Sequence, residues 1–370
     1  MKPRAVAGRI VLARVLAIGL LATATAGCSV SYVARAAYEE ARILWRREDI
    51  ERKLAEADLP PAMKGKLELV LDVRRFAAER LDLRVGGSFR TVSLVDRRAI
   101  VQLLTAAPRD RLEPYTWWFP IVGRVPYRGF FSKEAAAALA ADLERQSYDT
   151  YVRPAIAFST LGWFDDPVPS PLLNHDEVTL AQVVFHELWH NTLFLPGQTA
   201  FDESTATFTG YRAAIEFFCE AERSMPDRCR VATTDWQDTL AISAFFARSL
   251  GALAAFYDTK PTGAALENGR ERAFTEIREQ FRSLKLHPGR YADFAAGTIN
   301  NASLLQERIY LQDLEVFERL YREAGSLRAA LEEIREAAGE GGDPFARVRE
   351  AAARGATPTT TESEPPRGTT

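Results

Sequence analysis

The chain has 370 residues, with 47 basic and 50 acidic side chains for a net charge of −3 at pH 7. Arg and Lys are mixed with acids along its whole length and form no basic stripe, which argues against nucleic acid as a partner. It has no repeat of fixed period and no glycine-rich phosphate loop, and its hydrophobic share of 47% is that of a core-forming protein.

The N-terminus carries Lys2, Arg4, Arg9 and Arg14, then an apolar run from Val15 to Ala26. That run is short for a transmembrane helix and suits a secretory signal. It closes on Thr25-Ala26-Gly27-Cys28, small residues before a cysteine, as in a bacterial lipoprotein cleavage site. The expectation is a signal peptide over 1–27 and a lipid on Cys28 that anchors the protein to a membrane. Ordinary signal cleavage and an uncleaved anchor helix are the alternatives. Ser29 lacks the aspartate associated with inner-membrane retention, so a periplasm-facing, outer-membrane place in the cell envelope is expected.

The remaining chain, about 340 residues, is ample for a large core, as one elaborated domain or two tightly packed ones, and a single peptidase domain is expected over 28–351. Apolar 3.6-residue spacing predicts helices at 34–57, 62–81, 96–104 and 132–146. Runs rich in β-branched and aromatic residues predict strands at 89–95, 117–122 and 150–159. Further helices are predicted at 176–195, 202–222, 233–256, 263–286, 301–324 and 326–338, and the Thr/Pro-rich stretch 352–370 is expected to be disordered. The fold class is therefore α+β, mainly helical, with a small sheet. Its strand 150–159 precedes the helix 176–195 and is expected to be an edge strand lining a cleft, open to an extended peptide.

The helix at 176–195 contains His186-Glu187-Leu188-Trp189-His190. Residues four apart stand one helical turn apart on one face, so two imidazoles converge on one Zn²⁺ while Glu187 addresses a water beside it. Asn174 or Asp176 serves as N-cap, and Pro196-Gly197 ends the helix. A catalytic zinc needs a third protein ligand and an open position. Glu203 opens the next helix, where Glu203, Thr207 and Gly210 share a stripe and small residues let two helices approach closely. Asp202 is the fallback ligand, and a helix-dipole role is the plain alternative for Glu203. In an oxidising compartment Cys219 and Cys229, ten apart, either close a loop or remain separate thiols.

Beyond the zinc motif, the stretches 116–131 (TWWFPIVGRVPYRGFF), 151–167 (YVRPAIAFSTLGWFDDP), 185–194 (FHELWHNTLF), 201–208 (FDESTATF) and 300–310 (NNASLLQERIY) resemble a family of predicted bacterial zinc aminopeptidases. That family is of the gluzincin type, HExxH plus a downstream glutamate, and its members are often lipoproteins. The resemblance spans roughly 36 to 335. It implies a zincin-like metallopeptidase fold, one Zn²⁺ on His186, His190 and Glu203, Glu187 as general base, and peptide substrates. Trp189 departs from the small residue common at that motif position, and its indole must pack away from the metal.

Peptide hydrolysis also needs a donor for the tetrahedral oxyanion. Tyr310 is the first candidate, with Tyr151 and Arg153 behind it; His175 and His287 read as loop histidines. Recognition of a free α-ammonium calls for carboxylates, for which Asp165 and Asp166 are the candidates, although the pair equally suits a turn before Pro167. The alternatives to an aminopeptidase are a zinc endopeptidase and an inactive envelope scaffold on a peptidase fold.

Overall fold

A computed structural model describes residues 45–95, 101–119, 123–155, 165–220, 225–287 and 291–354. The signal segment and Cys28 lie outside them, as do residues 355–370 of the Thr/Pro-rich tail. From Glu48 onward the chain forms one compact unit.

The first half of the chain builds small sheets. In order come β1 (Arg47–Asp49), α1 (Ile50–Leu54), α2 (Pro61–Glu79), β2 (Thr91–Ser93), β3 (Val101–Pro108), β4 (Trp117–Phe119), β5 (Gly123–Val125), β6 (Tyr127–Phe130), α3 (Lys133–Arg145), β7 (Tyr148–Ala155) and β8 (Val168–Pro169). The sheets run β1–β2–β8, β6–β3–β7 and β4–β5. Within β6–β3–β7 both pairings are antiparallel, with Thr105 opposite Tyr127 on one side and Tyr151 on the other, and Leu103 opposite Arg153. Directly paired residues share a face and the side-chain period is two, so Tyr127, Thr105, Tyr151 and Arg153 all stand on one side of this sheet.

The second half is helical: after a 3₁₀ turn (Ser170–Asn174) come α4 (Glu177–Thr192), α5 (Thr199–Cys219), α6 (Pro226–Asp258), α7 (Gly263–Arg282), α8 (Ala292–Ala296), α9 (Asn301–Leu311), α10 (Leu314–Ala324), α11 (Leu327–Gly339) and α12 (Pro344–Arg354). Asp176 caps α4, its carboxylate accepting from the Val178 and Thr179 N–H groups. The helix is buried nearly all round, with Leu180, Val184, Phe185, Leu188 and Trp189 sealed from solvent. Phe185 meets Phe76 of α2 and Phe217 of α5 edge to face. Trp189 points into the α5 seam, where its indole N–H donates to Thr205 Oγ1 at 2.9 Å. At the same seam a Cβ on Gly210 would stand 2.6 Å from the Gln182 carbonyl and 3.2 Å from His186 Cβ, so glycine sets the closeness of the two helices.

Several expectations need correction. Residues 101–104, predicted as helix, open strand β3, and 96–100 lie outside the described residues. β3 is the central strand with both faces covered, so its apolar run lacks the alternation that would mark it as a strand. The predicted helix 34–57 gives way at 47–49 to β1, and its described helical residues are Trp45 and those of α1. The predicted 301–324 helix divides at Asp313, which takes a left-handed backbone (φ 57°). Strand β7 is an edge strand, but β8 and the 3₁₀ turn come between it and α4. α12 carries the chain through Arg354 with Ala352 buried, so the ordered body runs three residues past 351. Cys219 and Cys229 are joined in a disulfide that ties the end of α5 to the start of α6.

Among the described residues α6 alone is long and apolar enough to cross a membrane, by length and composition. Its buried Asp235, Asp238, Thr239 and Ser243 mark it instead as a core helix, Ser243 donating to the Leu311 carbonyl at 2.6 Å.

Candidate metal and active site

Helix periodicity places His186 and His190 one turn apart on α4, and the tight α4–α5 seam brings Glu203 against them. His186 Nε2 and His190 Nε2 are 3.2 Å apart, and Glu203 Oε2 lies 3.3 Å from the first and 3.5 Å from the second. With metal–ligand distances of about 2.0–2.1 Å, the edges of a tetrahedral site run about 3.3–3.4 Å. The three donor atoms thus form one face of such a tetrahedron, and two imidazoles with a carboxylate are a donor set that suits zinc. Among the described residues they alone form a cluster of this kind.

The electrostatics favour positive charge at that point. Burial opposes protonation of His190, but the Glu203, Glu187 and Asp202 carboxylates outweigh it and push its pKa up to about 9. Burial likewise opposes ionisation of Glu203, yet the two imidazoles hold its pKa far below the usual carboxylate range. Glu187 is buried without such close partners, and desolvation raises its pKa, with Glu203 adding to the rise. A carboxylate shifted toward neutrality suits proton transfer.

Around this centre stand two tyrosines delivered by different elements. The Tyr127 hydroxyl, on the inner face of the β6–β3–β7 sheet, donates to Glu203 Oε1 at 3.3 Å, leaving Oε2 to face the imidazoles. Tyr310 of α9 lies with its ring nearly parallel to His186, centroids 6.4 Å apart. Ser204 fixes that placement: its hydroxyl donates to the Ile309 carbonyl and accepts from the Gln312 N–H, each at 3.1 Å. The other end of α9 is pinned to the sheet through Asn301, whose side-chain amide donates to the Pro108 carbonyl at 2.8 Å. Arg153 sets its guanidinium 4.9 Å from the Tyr310 ring centroid. Gln306, with its amide turned to satisfy both neighbours, accepts from Arg153 Nε and Nη2 at 3.2 and 3.1 Å and donates to Thr105.

Other candidates fall elsewhere. Asp202 turns one carboxylate oxygen to the Leu195 N–H at 3.0 Å, bracing the α4–α5 turn. Its other oxygen and His190 Nδ1 are both buried without a hydrogen-bond partner. Asp165 accepts from the Gly87 N–H at 2.7 Å, and the backbone of Asp166 bonds Phe89 N–H and Ser88 Oγ, so the pair ties two loops together. Tyr151 packs on Ala107, Ala302 and Leu305. The His175 carbonyl accepts from Lys66, and the His287 N–H donates to Asp238. Tyr127 was not singled out by sequence, although it lies in the 116–131 stretch, because nothing local distinguishes it from a core tyrosine.

The α+β body presents two imidazoles and a carboxylate to one point, with a buried glutamate alongside, a cluster that could hold a metal ion. Residues 31–340 match the family described as "Putative aminopeptidase". The chain belongs to that family, which is one of peptidases by its description. No curated protein and no solved structure matches it.

Proposed function

We propose that this protein is a zinc-dependent aminopeptidase of the gluzincin type with a zincin-like fold, tethered in the cell envelope through Cys28. The observation that carries the proposal is the face of three donor atoms 3.2–3.5 Å apart beside the buried Glu187. His186, His190 and Glu203 would hold the ion. When bound, zinc supplies Lewis acidity toward a water and a peptide carbonyl. The residues divide the remaining work. Glu187 takes the proton of the attacking water on its carboxylate and returns it to the departing amine. Tyr127 keeps Glu203 oriented through Oε1. The Tyr310 hydroxyl, whose pKa burial and the nearby Glu203 raise, stays protonated and is available to donate to a developing oxyanion.

The test is zinc analysis of the chain from Ser29 onward, paired with digestion of a peptide library read by mass spectrometry. About one zinc per chain is expected, lost in the His186→Ala/His190→Ala double variant. Glu187→Gln should retain zinc and lose about a hundred- to ten-thousandfold in turnover. Stoichiometric zinc in the double histidine variant would remove the metal assignment. Cleavage only at internal bonds would make the enzyme an endopeptidase with the same centre.

A further inference from the structure

His190 has two ring nitrogens, and the centre uses one of them. Its Nε2 faces His186 Nε2 at 3.2 Å and Glu203 Oε2 at 3.5 Å. The other, Nδ1, diverges from that direction across the ring and is buried without a hydrogen-bond partner among the described residues. An imidazole that gives its Nε2 lone pair to a metal carries its proton on Nδ1. That N–H is then a buried donor, and a buried donor left unmet is unfavourable.

An acceptor is at hand on α5. Asp202 precedes Glu203, so the two side chains leave the helix about 100° apart. Glu203 reaches the imidazole Nε2 atoms, while Asp202 turns to the α4–α5 connection, where Oδ1 accepts from the Leu195 N–H at 3.0 Å. His190 stands in the last turn of α4, just before that connection. Asp202 Oδ2 is buried with no partner, and both residues are almost fully enclosed, Asp202 at 3% and His190 at 4% exposure. Each of the two acts electrostatically on the other. Of the other buried acceptors without a partner among the described residues, Asn191 turns its amide to Ser88 and Ser249 belongs to α6, outside the helix pair.

We infer that Asp202 is a positioning residue: its Oδ2 accepts the Nδ1–H of His190 when Nε2 holds the metal, and so fixes the tautomer and orientation of that ring. Oδ1 keeps its bond to Leu195, so one carboxylate both braces the helix pair and sets its second histidine. This deepens the metal assignment proposed above and rests on it.

The test uses zinc and the full chain purified in detergent, at about pH 8, above the pKa of about 7 to which burial raises Asp202. Asp202→Asn keeps a carbonyl oxygen for Leu195 but sets an amide donor against the Nδ1–H. Zinc affinity, from competition with a chelator, should fall about ten- to a hundredfold, while the midpoint of denaturant unfolding without zinc holds. The chain has four histidines, so ¹⁵N-histidine spectra of the zinc-loaded protein can follow each ring. The wild type should show the His190 Nδ1–H as a slowly exchanging downfield signal. At saturating zinc that signal should move upfield or vanish in Asp202→Asn, and the His186 ring signals should stay in place. Unchanged zinc affinity in Asp202→Asn would overturn the inference. A lower affinity or a lower metal-free stability with the Nδ1–H signal unmoved would also overturn it, since Asp202 would then act as a distant charge or as a brace alone. A wild-type chain that takes up no zinc would end the metal assignment as well.

Discussion

Glu187 and Glu203 carry the same functional group in opposite electrostatic settings. Glu203 is close to both imidazoles and held ionised, while burial, aided by the Glu203 charge, outweighs the same imidazoles at Glu187 and pushes its pKa up. His190 mirrors Glu203. In the metal-free protein its pKa is raised above the ordinary imidazole value, so its contribution to stability is full below about pH 6.5 and fades as pH rises through about 9. On the proposed assignment, zinc would have to displace that proton. Its apparent affinity should therefore rise with pH, about tenfold per unit between roughly 6.5 and 9, in a competition titration against a chelator. A flat profile would show that His190 binds no proton at the site. Tyr127 acts one step further out. Tyr127→Phe removes the hydrogen bond to Glu203 Oε1, so zinc affinity should drop about tenfold while the fold is kept. Affinity equal to the wild type would make Tyr127 a packing residue only.

The α4–α5 pair is the element on which the site depends. Its closeness is set at Gly210, where any side chain meets the Gln182 carbonyl. Gly210→Ala gains helix propensity of about 1 kcal/mol, yet the forced separation should cost about 1–3 kcal/mol and misplace His186 against Glu203. Denaturant unfolding and zinc titration should both report a loss. A net gain in stability with unchanged zinc affinity would mean the seam yields freely. At the far end of α5, the Cys219–Cys229 bridge closes a ten-residue separation. Chain entropy puts its contribution at about 2–3 kcal/mol, so reductant should lower the unfolding free energy by about that much, and a Cys219→Ser/Cys229→Ser variant should be insensitive to reductant. The pairing itself was open from sequence, because ten residues of spacing suit a loop and two free thiols equally well.

For the whole molecule, location rests on the N-terminal segment alone. Metabolic labelling with a fatty-acid analogue should mark the wild-type protein and leave Cys28→Ser unlabelled; an unlabelled wild type would favour ordinary secretion or an uncleaved helix. The helix pair and its cap at Asp176 were legible in the sequence, because caps act through the local backbone, whereas the helix ends at Thr192, ahead of the expected stop at Pro196-Gly197. The same local spacing puts His186 and His190 on one helix face, where the structure has their Nε2 atoms 3.2 Å apart. It failed for β3, whose two covered faces erase the alternation that marks a strand, and for Asp313, whose helix break no glycine or proline announces. The convergence of Tyr127, Arg153 and Tyr310 around the histidine pair and Glu203 was decided by tertiary structure. Those residues come from two strands and a helix spread over some 180 positions, from Tyr127 to Tyr310, and only sheet register and the Ser204 and Asn301 hydrogen bonds bring them to one place. The reason is physical: local sequence dictates backbone conformation over a few residues, whereas a reactive centre is assembled by packing contacts between segments that carry no local mark of one another.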